Sequence, residues 1–302
     1  MNGDGPVLVV GGTGMLGGKV VSALVERGKQ VRALVRPASD ASSLEAAGVE
    51  IARGDLMDPA SLTDALAGAD AVVTTAAGYT RHSKGDTADI DTVGNRHLVD
   101  AAAAAGVRRF VLTSILTCDQ TPQVPHFWHK KLAEDRLEEL GVPFVALRPG
   151  AFLDQVTQMG GDPFAKRRLM WFGSPDTRLT FVLASDLAGH LADAVDAPGV
   201  DGERIDIGWD RPVSMNDIAR IAGDQLGESI RVRSVPGAVI SAAAAVIGPF
   251  SSMVKDMGAM MRWFETGNYV ADTARQGEVF GPVPTAEDTI GRLLRMLGHD
   301  VA

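Results

Sequence analysis

Three glycines at a spacing of three, Gly11, Gly14 and Gly17, separate an apolar run from an amphipathic run near the start of the chain. Glycine at the first position allows a tight turn off a strand, and glycine at the second lets backbone approach a diphosphate. Glycine at the third lets the following helix pack closely on a sheet. Because a helix N-terminus attracts phosphate, the pattern predicts a dinucleotide-binding turn, with a ligand-free glycine-rich turn as the alternative.

The residues after the second apolar run indicate which dinucleotide would bind. A carboxylate there would bind the ribose hydroxyls of NAD. The chain instead has Arg36, whose planar guanidinium can pair with a 2′-phosphate, and Ser39, which can add a hydroxyl donor. These residues favour NADP(H) over NAD(H), unless Arg36 is only a solvated charge at the end of a strand.

Short apolar segments alternate with amphipathic ones over the first half of the chain. Strands are predicted at 7–10, 30–35, 49–52, 71–75, 107–113 and 144–147. Helices are predicted at 15–27, 39–47, 59–67, 86–105 and 130–140. This alternation predicts right-handed βαβ units and therefore an α/β fold with a Rossmann-type, doubly wound parallel sheet; another α/β fold is the alternative.

The pattern becomes less regular after Pro149, where glycine and proline are more frequent. A strand is still predicted near 204–207, with helices near 214–226, 251–264 and 285–297. We therefore predict an NADP(H)-binding Rossmann domain over residues 1–150. Residues 151–302 are predicted to form a smaller C-terminal α/β substrate-binding lobe, interleaved with the sheet.

Composition excludes several other classes of protein. The 302 residues carry a net charge of −9, whereas nucleic-acid-binding surfaces are usually basic. The single cysteine, Cys118, allows no intramolecular disulfide. We expect no signal peptide, membrane span, metal site or nucleophile elbow, because the sequence has the pattern of none of them. We expect a cytoplasmic protein, monomer or homodimer, without metal, membrane or nucleic-acid partners.

Several motifs together resemble the NmrA-like family, an atypical extended branch of the short-chain dehydrogenase/reductase superfamily. In the first half they are GGTGMLG at 11–17, VRALVR at 31–36, GDLMDPASL at 54–62, GVRRFVLTS at 106–114 and KLAEDRLEELGVPFVALRPGAF at 131–152. In the second half they are SDLA at 185–188, VSMNDIARIAG at 213–223 and GNYVADT at 267–273. The resemblance covers nearly the whole chain and is looser towards its end.

The resemblance implies cofactor contacts after successive strands, in agreement with the rule that ligands lie beyond the carboxyl ends of parallel strands. The implied set for the diphosphate and the 2′-phosphate is Gly11, Thr13, Gly14, Met15, Leu16, Gly17, Arg36 and Ser39. The set for the adenine, ribose and nicotinamide is Asp55, Leu56, Ala76, Ala77, Gly78, Thr113, Ser114, Lys130, Pro149, Gly150, Ala151 and Phe152.

The catalytic residues of the superfamily are only partly present. Its members use Ser, Tyr-x-x-x-Lys and often Asn, and the Tyr and Lys share a helical face because they are four residues apart. The alignment places the lysine at Lys130, whereas His126 occupies the tyrosine position. The serine position falls on Ile115 and the asparagine position on Asp91. Neither tyrosine of the chain is near Lys130 in sequence.

Three interpretations of this departure remain open. His126 could donate the proton, because imidazole titrates near neutrality. Lys130 alone, placed by the cofactor, could serve a reaction driven mainly by hydride transfer, such as reduction of a quinone or a conjugated double bond. The chain could also bind NADP(H) as a sensor without turnover. Lys131, in a different helical register, is expected to face solvent.

Apolar and aromatic residues around the expected pocket indicate a small hydrophobic or aromatic substrate, with ordinary core packing as the alternative. They are Phe127, Trp128, Phe152, Met159, Phe164, Met170, Trp171 and Phe172. A methionine-rich run at 253–263 is predicted to pack the C-terminal lobe or to cover the pocket, and 81–86 to form a loop near the cofactor. We predict an NADP(H)-dependent reductase of a small hydrophobic carbonyl, enone or quinone, with a non-catalytic redox-sensing protein as the alternative.

Overall fold

A computed structural model describes residues 5–78, 88–155, 161–237, 239 and 252–301. The chain divides into two compact units. The first consists of Met1–Arg148 and Ala184–Ile205, and the second of Pro149–Leu183 and Asp206–Ala302. The chain therefore leaves the first unit at Arg148 and returns to it at Ala184. The loop predicted at 81–86 lies outside the described residues, as do Tyr79 and Met159.

Strands and helices alternate along the first unit. Its strands are β1 (Val7–Val10), β2 (Val31–Val35), β3 (Glu50–Arg53), β4 (Ala71–Thr74), β5 (Arg109–Thr113), β6 (Phe144–Pro149) and, after the excursion, β10 (Glu203–Ile207). Its helices are α1 (Met15–Glu26), α2 (Ser42–Ala46), α3 (Pro59–Leu66), a π-helix (Ala88–Gly94), α4 (Asn95–Ala105), a short 3-10 helix (Cys118–Gln120), α5 (Pro125–Glu139) and α6 (Ala184–Asp193).

The strands form one seven-stranded sheet in the order β10-β6-β5-β4-β1-β2-β3. Neighbours from β1 to β6 pair in parallel, for example Val7 with both Val31 and Ala71. The order reverses between β1 and β4, which makes the carboxyl ends of these two strands the switch point of a doubly wound sheet. The predicted fold class is confirmed.

Burial explains why the strands read as continuous apolar runs. All four residues of β1 and of β4 are buried, as expected for parallel strands covered on both faces. Helix α3 begins as predicted, with Pro59 at its first position and the Asp58 side chain accepting from Ala60 N. After the return, α6 packs along α1, where Arg27 Nε donates to Asp193 Oδ1 at 2.8 Å.

Two helices differ from prediction. Helix α5 begins at Pro125 rather than at residue 130, because proline suits the first helical position and its missing N–H needs no partner there. His126 therefore lies in the first turn of the helix. The long helix predicted from residue 86 is a π-helix from Ala88 to Gly94 before it becomes α-helical; residues 86 and 87 are not described. Hydrophobic periodicity does not distinguish these two kinds of helix.

The second unit has smaller sheets. Its strands are β7 (Ala151–Phe152), β8 (Arg168–Phe172), β9 (Phe181–Val182) and β11 (Arg231–Val235), and its helices are α7 (Met215–Leu226), α8 (Ser252–Glu265), α9 (Ala274–Phe280) and α10 (Ala286–Met296). Strand β7 pairs with β9 and β8 with β11, both in parallel. Ser214 and Asp217 form a reciprocal capping box that starts α7.

Candidate functional site

The glycine-rich turn between β1 and α1 is shaped by its own backbone. Gly11 has a φ of +91°, and a Cβ there would lie 2.7 Å from Thr75 Oγ1. A Cβ on Gly17 would lie 2.0 Å from the carbonyl oxygen of Gly11. Gly17 therefore lets the first turn of α1 pack directly onto this loop. The sequence predicts that this glycine allows the helix to pack on the sheet, whereas the close contact in the structure is with the loop itself.

Gly14 is restricted less by the chain. It is the exposed N-cap of α1, its backbone is extended, and a Cβ would contact only Gly11 O, at 3.3 Å. No acidic side chain lies in the first turn. The turn thus presents a helix N-terminus with a small, open residue in front of it, an arrangement that suits an anionic ligand. Thr13 and Met15 are exposed beside it, and Leu16 is half-buried.

Replacing Gly17 by Ala is expected to lower the free energy of unfolding by about 1–3 kcal/mol, because backbone must move to admit the methyl group. The matched control is Gly18→Ala, where the nearest atom to a Cβ is Gly12 O at 3.7 Å. Alanine inside a helix should there raise stability by about 0.5–1 kcal/mol. Urea unfolding of both variants tests this, and equal stabilities would contradict the loop-closure role of Gly17.

Two arginines meet at the ends of β2 and β3. Arg36 is exposed, and Ser39 N donates to its carbonyl oxygen at 2.9 Å in a tight turn. Arg53, which ends β3, donates from Nη1 to Ser39 O at 2.8 Å and to Arg36 O at 3.3 Å. Arg53 thus braces the turn that carries Arg36 and adds a second positive charge. The sequence alone does not predict a role for Arg53, because Arg53 comes close to the Arg36 turn only through the pairing of β3 with β2.

Asp55 and Leu56 follow β3. Asp55 Oδ1 accepts from Met57 N at 2.9 Å, which holds its own turn, and the residue is half-buried. Leu56 is buried, and its carbonyl oxygen lies 3.1 Å from His97 Nδ1. These bonds fix the backbone at the carboxyl end of β3, where the resemblance implies contact with adenine.

Lys130 lies at the carboxyl end of β4, in contact with the loop that contains Ala76, Ala77 and Gly78. Its Nζ donates to Ala76 O at 2.9 Å and lies 3.4 Å from Asp91 Oδ1. Asp91, from the π-helix, also accepts from Gly78 N at 3.1 Å. Lys130 is 5% and Asp91 1% exposed. One buried ion pair therefore joins α5, the π-helix and the loop after β4.

His126 precedes Lys130 by one helical turn and is also buried, with its ring edge-to-face on Phe127 at 4.6 Å. The structure thus places both candidate catalytic residues on the buried side of α5. Lys131 is half-buried rather than fully exposed, and it pairs with Asp135 one turn along the helix. This pair explains why Lys131 does not extend into solvent as expected.

Ser114, after β5, is engaged elsewhere. Its Oγ donates to Glu134 Oε1 at 2.5 Å, and both residues are buried. Glu134 lies one turn beyond Lys130 on α5 and also binds Arg148 and Arg204, at 2.6 and 3.0 Å. The family resemblance implies that Ser114 contacts the cofactor, whereas in the structure its hydroxyl donates to the Glu134 carboxylate. Thr113 Oγ1 is buried without a hydrogen bond among the described residues.

Cys118 lies against the same carboxylate, with Sγ 3.5 Å from Glu134 Oε1. Burial, and then the negative charge of Glu134, raise the pKa of Cys118 to about 12. Because the pKa of an exposed cysteine thiol is 9.0, the raised pKa of Cys118 contributes stability that is fully present below about pH 9 and is lost as pH rises towards 12. Native Cys118 should resist maleimide labelling even at about pH 10, whereas urea-unfolded chain should label rapidly; equal rates would contradict this.

Pro149, Gly150, Ala151 and Phe152 belong to the second unit and are held by its backbone. Gly150 N donates to Ile207 O at 2.9 Å, and a Cβ on Gly150 would lie 2.5 Å from Thr180 O. The Pro149 carbonyl oxygen accepts from the Tyr269 hydroxyl at 3.2 Å. A close approach of backbone, independent of any ligand, therefore accounts for glycine at this position.

The predicted pocket residues have different environments. Phe127 and Phe164 are buried, Trp128, Phe152 and Trp171 are half-buried, and Met170 and Phe172 are exposed. Phe164 packs against the His299 ring at 6.5 Å, which is core packing. In the methionine-rich helix α8, Met253 and Met257 are exposed.

The described residues were compared with the requirements of metal sites and membrane-spanning helices. Among those residues, no group of His, Cys, Asp and Glu side chains is arranged to hold a metal ion. Within the same ranges, none of the helices combines the length and apolar character needed to cross a bilayer.

Three relatives illustrate what the sequence is similar to. The photosystem II assembly factor Ycf39 of Cyanophora paradoxa is 27% identical over 78% of this chain and 74% of its own. An NAD(P)H azoreductase of Xenophilus azovorans is 28% identical over 74% and 75%. Quinone oxidoreductase 2 of Escherichia coli (strain K12) is 25% identical over 80% and 82%.

Solved structures share the fold. The NADPH-dependent quinone oxidoreductase of Escherichia coli superposes with a TM-score of 0.75 at 21% identity, over 95% of this chain and 99% of that one. The triphenylmethane reductase of Citrobacter sp., solved with NADP(H), gives 0.76 at 20% identity with the same coverage. The model of the NmrA-like family matches residues 3–282, and the chain therefore belongs to the NmrA-like family.

Proposed function

We propose that the chain is an NADP(H)-dependent oxidoreductase that reduces a small hydrophobic carbonyl, enone or quinone. In this proposal the first unit binds the cofactor and the second contributes to the substrate site. The names of two relatives, an azoreductase and a quinone oxidoreductase, support reductase chemistry on apolar, conjugated substrates.

The residues at the proposed cofactor site fit a dinucleotide phosphate. Gly14 leaves the N-terminus of α1 open, as a diphosphate requires. The Arg36 side chain is exposed and forms no ion pair with any described residue, so that it remains available to a 2′-phosphate. The residues directly after β2, from Arg36 to Ser39, include no carboxylate, and Arg53 holds the turn between Arg36 and Ser39. These features favour NADP(H).

The buried pair of Lys130 and Asp91 is the observation that carries the catalytic part of the proposal. Burying an ammonium costs several kcal/mol, and apolar residues would fill the same space more stably. A charge retained at the carboxyl end of a central strand therefore points to a function in binding or chemistry.

NADPH bound at this site would supply a hydride from C4 of its nicotinamide. Lys130 would position the nicotinamide ribose through its ammonium group, which Ala76 and Asp91 hold in place. His126, one turn earlier, or water supplies the proton to the reduced substrate. A quinone or enone needs no strong acid at the step of hydride transfer, which suits a site with histidine in the tyrosine position.

Replacing Arg36 by Gln is expected to weaken NADPH binding at least about 10-fold and to leave NADH binding unchanged, because only NADPH carries the 2′-phosphate. Arg53→Gln should shift the same ratio less, since it acts mainly on the turn. Arg96→Gln, an exposed arginine on α4, is the matched control. Fluorescence titration of each variant with both cofactors measures the effect. Equal affinity of the wild type for NADH and NADPH would refute the NADP(H) assignment.

A second function is favoured by the alignment of the sequence analysis, which puts His126 at the position of the superfamily's tyrosine. The chain would then bind NADP(H) as a redox-sensing regulator, and a relative named as an assembly factor is compatible with this. A panel of quinones, enones and aldehydes, followed by NADPH absorbance at 340 nm, separates the two. Micromolar NADPH binding without oxidation of NADPH by any compound would favour the regulator.

A further inference from the structure

The outer face of the β8–β11 sheet in the second unit carries a basic and apolar surface. Arg231 pairs in register with Arg168, Arg233 with Met170 and Val235 with Phe172. Paired residues point to the same side, so these six side chains share one face, here called the arginine face. On the opposite side Leu169 is fully buried and the Trp171 ring lies 6.2 Å from Phe181.

The three arginines of this face lack charged partners among the described residues. Arg168, Arg231 and Arg233 are exposed, and none of them forms an ion pair or side-chain hydrogen bond with a described residue. Neighbouring Arg167, by contrast, pairs with Glu228 at 2.5 Å. The chain has 38 acidic residues against 29 basic ones, and yet this face lacks carboxylates.

Their placement makes them repel one another. Arg168 and Arg231 are directly opposite on neighbouring strands, which lie about 4.8 Å apart, and Arg233 is one same-face step of about 6.6 Å further along. Like charges placed directly opposite destabilise a sheet. Carboxylates from another molecule would turn this repulsion into bidentate ion pairs, which guanidinium groups form particularly well.

The exposed apolar side chains of the arginine face lie towards one of its ends. Met170 is 50% and Phe172 41% exposed. Met170 lies opposite Arg233, and Phe172, at the carboxyl end of β8 opposite Val235, lies beyond the arginines. Arginine, methionine and phenylalanine are the residue types enriched in protein interfaces. An occupant complementary to this surface has carboxylates at one end and apolar side chains at the other.

We propose that the arginine face docks an acidic, amphipathic segment of a partner protein. The number of positive charges on the face favours a protein segment over an anionic membrane or a nucleic acid. Three basic residues are fewer than the roughly four to eight that polybasic membrane anchors use at an anionic bilayer. Tight binding to nucleic acid uses about 6–10 phosphate contacts, and the chain has a net charge of −9.

The test uses the full chain and a fluorescent peptide of sequence Glu-Gly-Glu-Gly-Glu-Leu-Phe-Leu, followed by anisotropy at low salt. Binding is expected with a Kd of about 100 µM. The double variant Arg168→Glu/Arg233→Glu should weaken it at least about 10-fold, and Met170→Ser/Phe172→Ser by a smaller factor. Arg262→Glu, at an exposed arginine of α8 in the same unit, should leave it unchanged.

Circular dichroism confirms that each variant is folded before binding is compared. A peptide with Lys in place of Glu should not bind. The proposal is overturned if the acidic peptide does not bind the wild type, or if Arg262→Glu weakens binding as much as the double variant. It is also overturned if vesicles of phosphatidylglycerol and phosphatidylcholine bind through these arginines while the peptide does not.

Discussion

Glu134→Gln is expected to lower the free energy of unfolding by about 3–5 kcal/mol. Glu134 is fully buried, and its carboxylate accepts from Ser114, Arg148 and Arg204. Removal of its charge leaves the Arg148 guanidinium in the interior, where Asp119 is its one remaining ion partner among the described residues. Chemical denaturation measures the loss.

The electrostatics of Arg148 show how strongly this cluster is coupled. Burial alone lowers the pKa of Arg148, but the hydrogen bonds and the charge of Glu134 outweigh burial and leave the pKa above its usual value. The guanidinium therefore stays charged in every accessible condition. Its stabilisation depends on the carboxylate opposite it.

Glu138→Gln is the matched control for this prediction. Glu138 lies one turn further along α5, binds the same Arg204 at 2.7 Å and is 66% exposed. An exposed ion pair contributes about 0–1 kcal/mol, so the control should lose no more than that. A Glu134→Gln variant as stable as Glu138→Gln would show that the buried cluster does not hold α5 against β5 and β6.

Lys130→Met is expected to reduce kcat/KM for NADPH-dependent reduction at least about 100-fold, because the group that we propose to position the ribose is lost. It should also lower stability by about 3–5 kcal/mol, since Asp91 remains buried without its cation. Steady-state kinetics and denaturation separate the two effects.

The double variant Lys130→Met/Asp91→Asn restores an uncharged interior at this position. It should recover much of the lost stability and none of the turnover, because the ammonium is still absent. Lys131→Met is the matched control: its partner Asp135 is partly exposed, and both properties should change little. Full activity in a folded double variant would exclude a positioning role for Lys130.

Local patterns carried most of the fold prediction. Apolar runs, helical periodicity and the cap at Asp58 depend on neighbouring residues, and apart from the two helices discussed above each predicted strand or helix is observed to within a few residues. Strands β7, β8, β9 and β11 and helices α6 and α9 were not predicted. The start of α5 was misplaced because its first turn holds His126, Phe127 and Trp128, which weaken the polar half of the helical pattern. The π-helix was missed because its period is close to that of an α-helix.

The sequence by itself determined the order of strands and helices in the first half of the chain, the glycine-rich turn and the arginine after β2, because each depends on residues close together in the chain. Only the tertiary structure decided what those residues meet. Lys130 reaches Ala76 across 54 positions, Glu134 reaches Arg204 across 70, and Arg53 reaches the Arg36 turn through strand pairing. Side-chain contacts of this kind depend on helix register and strand order, which the spacing of residues along one chain does not contain.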